Sequence, residues 1–171
     1  LEAVDFASAI VHSVAEPRFD KDDDFTWFPI DLVQLLRTVV DRPALRHHVT
    51  LETPCEIQIG GDQGALTRAF TDIVVNGRRM VDGRSPLVVT VHESSAQIEV
   101  HIEHPKPAVV PGPMRQLLFQ RHGVVALRRN RIPVSAIGLV DAANIVEGHG
   151  GEIRVEDGDS GSMIVVVRLP R

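Results

Sequence analysis

Asp72 and Asn76 stand four residues apart, so on a helix they present a carboxyl and a carboxamide to the same side. Downstream, Arg128, Arg129 and Arg131, with Arg121 and His122 before them, make a basic patch able to grip phosphate or the carboxylates of an acidic partner. The plain alternative is a solvated loop. His92, His101 and His104, with the pair His47-His48, are the imidazoles that hairpin geometry can gather. No Cys, Asp or Glu completes a metal-ligand spacing around them, so a histidine metal site is not expected. Cys55 has no paired His and acid to make it a nucleophile and reads as a small buried hydrophobe on a strand edge.

Composition narrows the setting for this chemistry. The 171 residues carry 18 Lys+Arg against 23 Asp+Glu, a net charge of −5. That length suits one domain with a sizeable core. A modestly acidic chain lacks the positive field on which non-specific binding to nucleic acid or acidic membrane relies, so neither partner is expected. One cysteine permits no internal disulfide. No apolar run is long enough to span a bilayer and no signal peptide is seen, so the cytoplasm is the expected compartment.

The elements that must position these residues follow from periodicity. Val4, Ala7, Ile10, Val11 and Val14 mark a lead-in helix stopped by Pro17, and the acidic run Asp20 to Asp24 reads as a linker, placing a boundary between 1–27 and 28–171. Pro29 to Val40 reads as a helix with Leu32, Leu35, Leu36 and Val39 on one face. Val49 and Leu51, then Ile57 and Ile59, alternate as a pair of short strands around a turn at Thr53-Pro54. Asp62 is a good N-cap for a helix to Met80 that buries Leu66, Phe70, Ile73, Val74 and Gly77, with Gly83 marking its end. Leu87 to Val91 and Ile98 to Ile102 form a hairpin turning at Ser94-Ser95. From His104 to Pro133 the pattern breaks into a long loop with one short helical piece near Met114 to Arg121. A further helix carries Leu139, Ala142, Ala143 and Val146 to the glycines at Gly148 and Gly150-Gly151, and a last hairpin runs through Ile153, Val155 and Ile164 to Leu169. Three helices beside about five mixed or antiparallel strands, without regular βαβ alternation, predict an α+β two-layer sandwich with the helices on one sheet face.

Several stretches within this frame resemble the ATP-binding catalytic domain of sensor histidine kinases, in the GHKL (Bergerat) superfamily. Phe28-Pro-Ile-Asp-Leu-Val-Gln-Leu-Leu resembles the domain's opening. Gly61-Asp62 through Asp72-Ile-Val-Val-Asn76-Gly-Arg-Arg-Met80 is similar to its N box. Ile137-Gly138-Leu139 through Ile145-Val-Glu-Gly-His149-Gly-Gly151-Glu-Ile resembles the second glycine box, its helix and the closing strands. The resemblance covers most of the chain, from Phe28 to Leu169-Pro170.

It implies that the Asn76 amide oxygen helps to hold magnesium, that Arg79 approaches the phosphates of ATP or ADP, and that Gly138 and Leu139 belong to the phosphate-cradling turn. Asp72 takes the position where the superfamily's ATP hydrolases place a water-activating glutamate. The same resemblance exposes departures. The family's adenine-binding D-x-G-x-G falls on His104, Lys106 and Ala108, where a neutral histidine can accept one hydrogen bond but Pro105 and Pro107 add bulk and remove backbone donors. Its G-x-G-L-G-L falls on Val134 to Leu139 and keeps only Gly138 of the glycines. These departures imply a degenerate pocket, with no cofactor, in a pseudokinase that docks a response-regulator receiver domain or another kinase through Arg128, Arg129 and Arg131. The retained residues imply the other possibility, a working catalytic domain using ATP or ADP with magnesium. His12, with Phe6 before it and Pro17 after it, faintly resembles the phospho-acceptor box, but the short stretch before Phe28 leaves no room for that box's second helix. The apolar stripe of the lead-in helix suggests a homodimer contact.

Overall fold

In a computed structural model of the chain, residues 27–53, 56–81, 85–105 and 110–171 are described. The lead-in helix with His12, the acidic linker, Cys55, the Gly83 stop and the Lys106 and Ala108 positions lie outside the described residues.

Phe28–Asp31 (β1) is a strand antiparallel to Gln58–Gly61 (β3), where the apolar spacing suggested a helix from Pro29. The helix Leu32–Val40 (α1) starts later because Asp31, still extended, caps it by accepting the Gln34 N–H at 3.0 Å. A second expectation also changes. Val49–Glu52 (β2) does not pair with β3 but runs parallel to Leu87–Glu93 (β4). Both corrections have one cause: strand partners far away in sequence took residues that local periodicity assigned to their neighbours.

The main sheet has the order β2-β4-β5-β7-β6, with Gln97–His104 as β5, Glu152–Asp157 as β6 and Met163–Pro170 as β7. Among the described residues only the β2–β4 contact of this sheet is parallel. Helix Gln63–Met80 (α2) opens as expected at Asp62, whose side chain accepts the Ala65 N–H at 2.8 Å. Gly112–Arg115 (α3) and Gly123–Arg129 (α4) replace the single helical piece expected at Met114 to Arg121. α4 can start only at a glycine, because a Cβ on Gly123 would lie 2.3 Å from the Leu117 carbonyl oxygen. The last helix is Ala136–Gly148 (α5).

Alternation along the strands sets the layers. Leu87, Val89, Ile98, Val100, Ile102, Val165 and Val167 are buried against Leu32, Leu36, Leu66, Phe70, Ile73, Leu139 and Ile145 of the three long helices. Each such side chain contributes about 1.5–3 kcal/mol by leaving water. The opposite face carries an ion-pair cluster: Glu99 accepts hydrogen bonds from Arg168 at 3.0 Å and Arg154 at 3.3 Å and contacts His101 at 3.1 Å. The His101 contact, then the two guanidiniums, hold the Glu99 carboxyl down to about 2.

His149 closes the helical layer. It is 1% exposed; its Nδ1–H donates to the Ile145 carbonyl at 2.7 Å, and its Nε2 accepts the Asp62 N–H at 3.0 Å. The end of α5 is thereby tied to the start of α2. The Trp27 ring sits 5.3 Å from the imidazole, and Gly61 leaves it room, since a Cβ there would be 2.8 Å from its Cδ2. His149→Ala leaves the Asp62 donor unpaired and opens a cavity, so it should lower unfolding free energy by about 3 kcal/mol, as measured by urea titration.

Candidate functional site

The residues singled out on α2 and α5 do come together, at the end of the helix pair opposite His149. Asp72 and Asn76 lie on the side of α2 that faces the start of α5. Asn76 is 2% exposed. Its Nδ2 donates to the Asp72 carbonyl at 2.7 Å, and its Oδ1 accepts the Ser135 N–H at 2.6 Å. These two partners fix which end of the carboxamide is oxygen, because a carbonyl cannot donate and an N–H cannot accept. Ser135 is also the N-cap of α5, its Oγ accepting the Gly138 N–H at 3.4 Å.

Gly138 is placed against α2: a Cβ there would lie 3.2 Å from Ser135 Oγ and 3.5 Å from the Asp72 carboxyl carbon. The small residue lets the first turn of α5 approach that carboxyl. Burial raises the Asp72 carboxyl above its usual range; the Asp141 carboxylate adds to the rise, and Arg68 and Arg42 only partly offset it. Asp141 has a buried Oδ1 without a hydrogen-bond partner among the described residues. Leu139 is wholly buried in the core, and Arg79 is exposed on the last turn of α2.

His104, at the end of β5, is 0% exposed. Its Nδ1–H donates to the Met163 carbonyl at 3.2 Å, which makes Nε2 the bare acceptor, and Nε2 has no partner among the described residues. A Cβ on Gly77 would lie 2.6 Å from that nitrogen, so α2 meets the ring with backbone alone. Burial pushes the imidazole down to about 4, against carbonyl contacts to Met163 and Ile102 that pull upward. The ring is therefore neutral near pH 7.

The other histidines do not join it. His92 and His101 meet on the outer sheet face with ring centroids 4.5 Å apart and ring planes tilted by 56°, whereas His104 points into the core. Strand alternation separates residues 101 and 104 onto opposite faces. Among the described residues no group of three His, Cys, Asp or Glu could hold a metal ion. As arranged, the magnesium role assigned to Asn76 by resemblance does not fit either, because its oxygen is buried and engaged by Ser135.

Arg128 and Arg129 are exposed on the last turn of α4, and Arg131 is exposed just beyond it. Arg131 has φ +54°, and the following Ile132 N–H returns to the Leu127 carbonyl at 3.0 Å, a helix-ending turn usually made by glycine. From residue 104 to residue 140 the chain has no Asp or Glu. Of the basic residues in this stretch, half-buried Arg115 is committed to an ion pair with Asp157, while Arg121, Arg128, Arg129 and Arg131 are exposed. Spacing alone did not single out Ser135, Gly77 or His149 as contact residues; the partner in each case is 27 or more positions away.

Comparison with known proteins places this arrangement. No family model matches the chain. It is 28% identical over 148 residues to the signal transduction histidine-protein kinase BaeS of Escherichia coli, covering 83% of this chain and 32% of that protein. It is 26% identical over 161 residues to the histidine-protein kinase/phosphatase MprB of Mycobacterium leprae, covering 92% of this chain and 30% of that protein. The chain thus spans about a third of the length of these curated relatives. In structure it is similar to the ATP binding domain of PrrB from Mycobacterium tuberculosis, with TM-score 0.65, 25% identity and coverage of 86% of this chain and 98% of that one. The resemblance to the histidine-kinase ATP-binding domain and the α+β fold expected with it are shown. Among the described residues no helix is long and apolar enough to cross a membrane.

Two predictions rest on the titrating groups. His104 is neutral when folded but binds a proton near pH 6.5 when unfolded, so its contribution is complete above pH 6.5 and lost as pH falls toward 4. That loss amounts to about 3 kcal/mol, and His104→Gln should flatten this part of a pH-resolved urea stability profile. Asp72 carries the opposite sign, because its folded carboxyl is raised: stability falls as pH rises and the group ionises. Asp72→Asn should raise the melting temperature at pH 7, with the gain vanishing below the unfolded value of 3.8.

Proposed function

We propose that this chain, with the fold of a histidine-kinase ATP-binding domain, is a degenerate member that serves two-component-type signalling in the cytoplasm as a regulatory or docking module, with impaired nucleotide use. The observation that carries this reading is the closed state of the site. The Asn76 oxygen, which the family would offer to magnesium, is buried on the Ser135 N–H, and a wholly buried neutral His104 stands where adenine would meet a carboxylate.

The docking surface is the exposed basic group Arg128, Arg129 and Arg131, in a stretch without a single acidic residue. Guanidinium groups pair with carboxylates, so the partner is an acidic one: a response-regulator receiver domain or another kinase. Residues 28–171 form the ATPase-like domain, and 1–27 lead into it and support a homodimer.

Asn76, Arg79 and Gly138 support a second reading, a working catalytic domain whose phospho-acceptor helices lie elsewhere. Solved relatives include a full-length kinase, ShkA, in complex with AMPPNP. In that reading ATP or ADP with magnesium binds at Asn76, Arg79, His104, Gly138 and Leu139, and the raised carboxyl of Asp72 is the catalytic candidate.

Titration of the folded domain with ATP and ADP in millimolar magnesium separates the two. The docking reading expects neither heat nor a rise in melting temperature, and specific stabilisation by nucleotide would overturn it in favour of the working kinase. On the docking side, reversing Arg128 and Arg129 to Glu should weaken receiver binding at least tenfold with unchanged melting temperature, measured by biolayer interferometry.

A further inference from the structure

Arg115 is set apart from Arg121, Arg128, Arg129 and Arg131, because it alone of these arginines is drawn into the fold. Its side chain is 14% exposed and opens its guanidinium onto the turn between β6 and β7. Nη1 donates to the Asp157 carboxylate and to the Ser162 carbonyl at 3.4 Å, and Nη2 to the Gly161 carbonyl at 3.5 Å. Nε turns back to the Val110 carbonyl at 3.5 Å. Beside it, the Gln116 Nε2 donates to the Val155 carbonyl of edge strand β6 at 3.2 Å.

What is held at Arg115 is passed to the exposed arginines through the backbone. From Pro111 to Arg121 successive turns overlap, with the N–H groups of Met114, Leu117, Gln120, Gly123 and Val124 each returning to the carbonyl three residues earlier. α4 then carries Arg128 and Arg129 on its last turn. Leu118 and Leu127, wholly or nearly wholly buried, peg this platform to the core. Apolar contact is non-directional, so the pegs fix where the platform sits but not how it is turned. Arg115 and Gln116 supply the directional contacts.

We propose that Arg115 and Asp157 are positioning residues for the docking surface: their clasp holds residues 110–131 in one orientation and presents Arg128, Arg129 and Arg131 pre-arranged to an acidic partner. The positioning role rests on the docking reading, whereas the clasp itself is tested without a partner. Neither residue belongs to the docking surface. Guanidinium groups carried on a fixed platform lose less freedom when a partner binds, and a docked partner tightens the clasp in return.

The Asp157 side chain is 77% exposed, so Asp157→Ala opens the clasp and leaves the core intact. Asp157→Glu keeps a carboxylate for the fork. Arg115→Lys keeps the charge but not the planar fork, and is read in the same way if Asp157→Ala fails to fold. On the whole chain, amide exchange across residues 123–131 is followed by mass spectrometry, and binding of a hexaglutamate peptide by fluorescence anisotropy. Exchange should be about tenfold faster in Asp157→Ala and in Arg115→Lys, and close to wild type in Asp157→Glu. Hexaglutamate should bind about threefold more weakly to Asp157→Ala than to wild type. The sign separates the clasp from simple attraction, because deleting a carboxylate from an acidic chain would by charge alone tighten the binding of an acidic peptide.

Exchange in Asp157→Ala no faster than in wild type, or equally fast in Asp157→Glu, overturns the clasp. Faster exchange with equal or tighter peptide binding overturns the positioning role. If wild type does not bind hexaglutamate, or binds it no better than the variant with Arg128 and Arg129 reversed to Glu, the docking reading falls and the positioning role with it, while exchange still decides the clasp.

Discussion

The seating of α5 on α2 is the contact on which the rest of the helical layer depends. The two helices run side by side in opposite directions and are tied at both ends by part-buried hydrogen bonds between residues far apart in sequence. At one end His149 joins the Ile145 carbonyl to the Asp62 N–H; at the other Asn76 joins the Asp72 carbonyl to the Ser135 N–H. Between them lie Leu66, Phe70, Ile73, Leu139, Ala142 and Ile145, packed over the sheet. Apolar burial holds the helices together but is indifferent to small slides along their axes. The two polar ties, which cannot be left unmade inside the protein, select one register.

That constraint shapes the candidate site, because one of its ties uses the group to which the resemblance assigns a ligand role. The same structural economy appears at His104. A neutral ring fixed by the Met163 carbonyl fills the space beneath Gly77 and places an acceptor there that has no partner among the described residues. Both features belong to an enclosed interior, and both stand where nucleotide chemistry is expected from the resemblance. Charge is distributed in the complementary way. The acidic chain keeps its carboxylates out of the stretch from residue 104 to residue 140, so that stretch is basic while the molecule as a whole is not.

Much of this was legible in the sequence. Periodicity located α2 and its Asp62 cap, the β4–β5 hairpin and the closing strands, because amphipathic spacing reports which face of an element is buried. Asp72 and Asn76 could be placed on one side of a helix from their separation. What periodicity could not report was partnership: β1 looked like the start of a helix, and β2 and β3 looked like a pair, until strands distant in sequence claimed them. The histidines show the same limit. Counting residues brought His92, His101 and His104 to one hairpin, and the pleat then sent His104 inward and the other two outward.

The sequence by itself determined most of the element types, the apolar layer, the acidic whole with its basic stretch, and the resemblance through which Asn76, His104 and Gly138 drew attention. Each of these is a local or compositional property, set by side-chain spacing and charge. Only the tertiary structure decided that the Asn76 oxygen meets the Ser135 N–H, that His104 is neutral and enclosed, and that the Asp72 carboxyl is raised beside Gly138 and Asp141. Those are properties of neighbours. Hydrogen bonding and desolvation act over a few ångströms of space, and a chain reveals which of its residues share that space only when it folds.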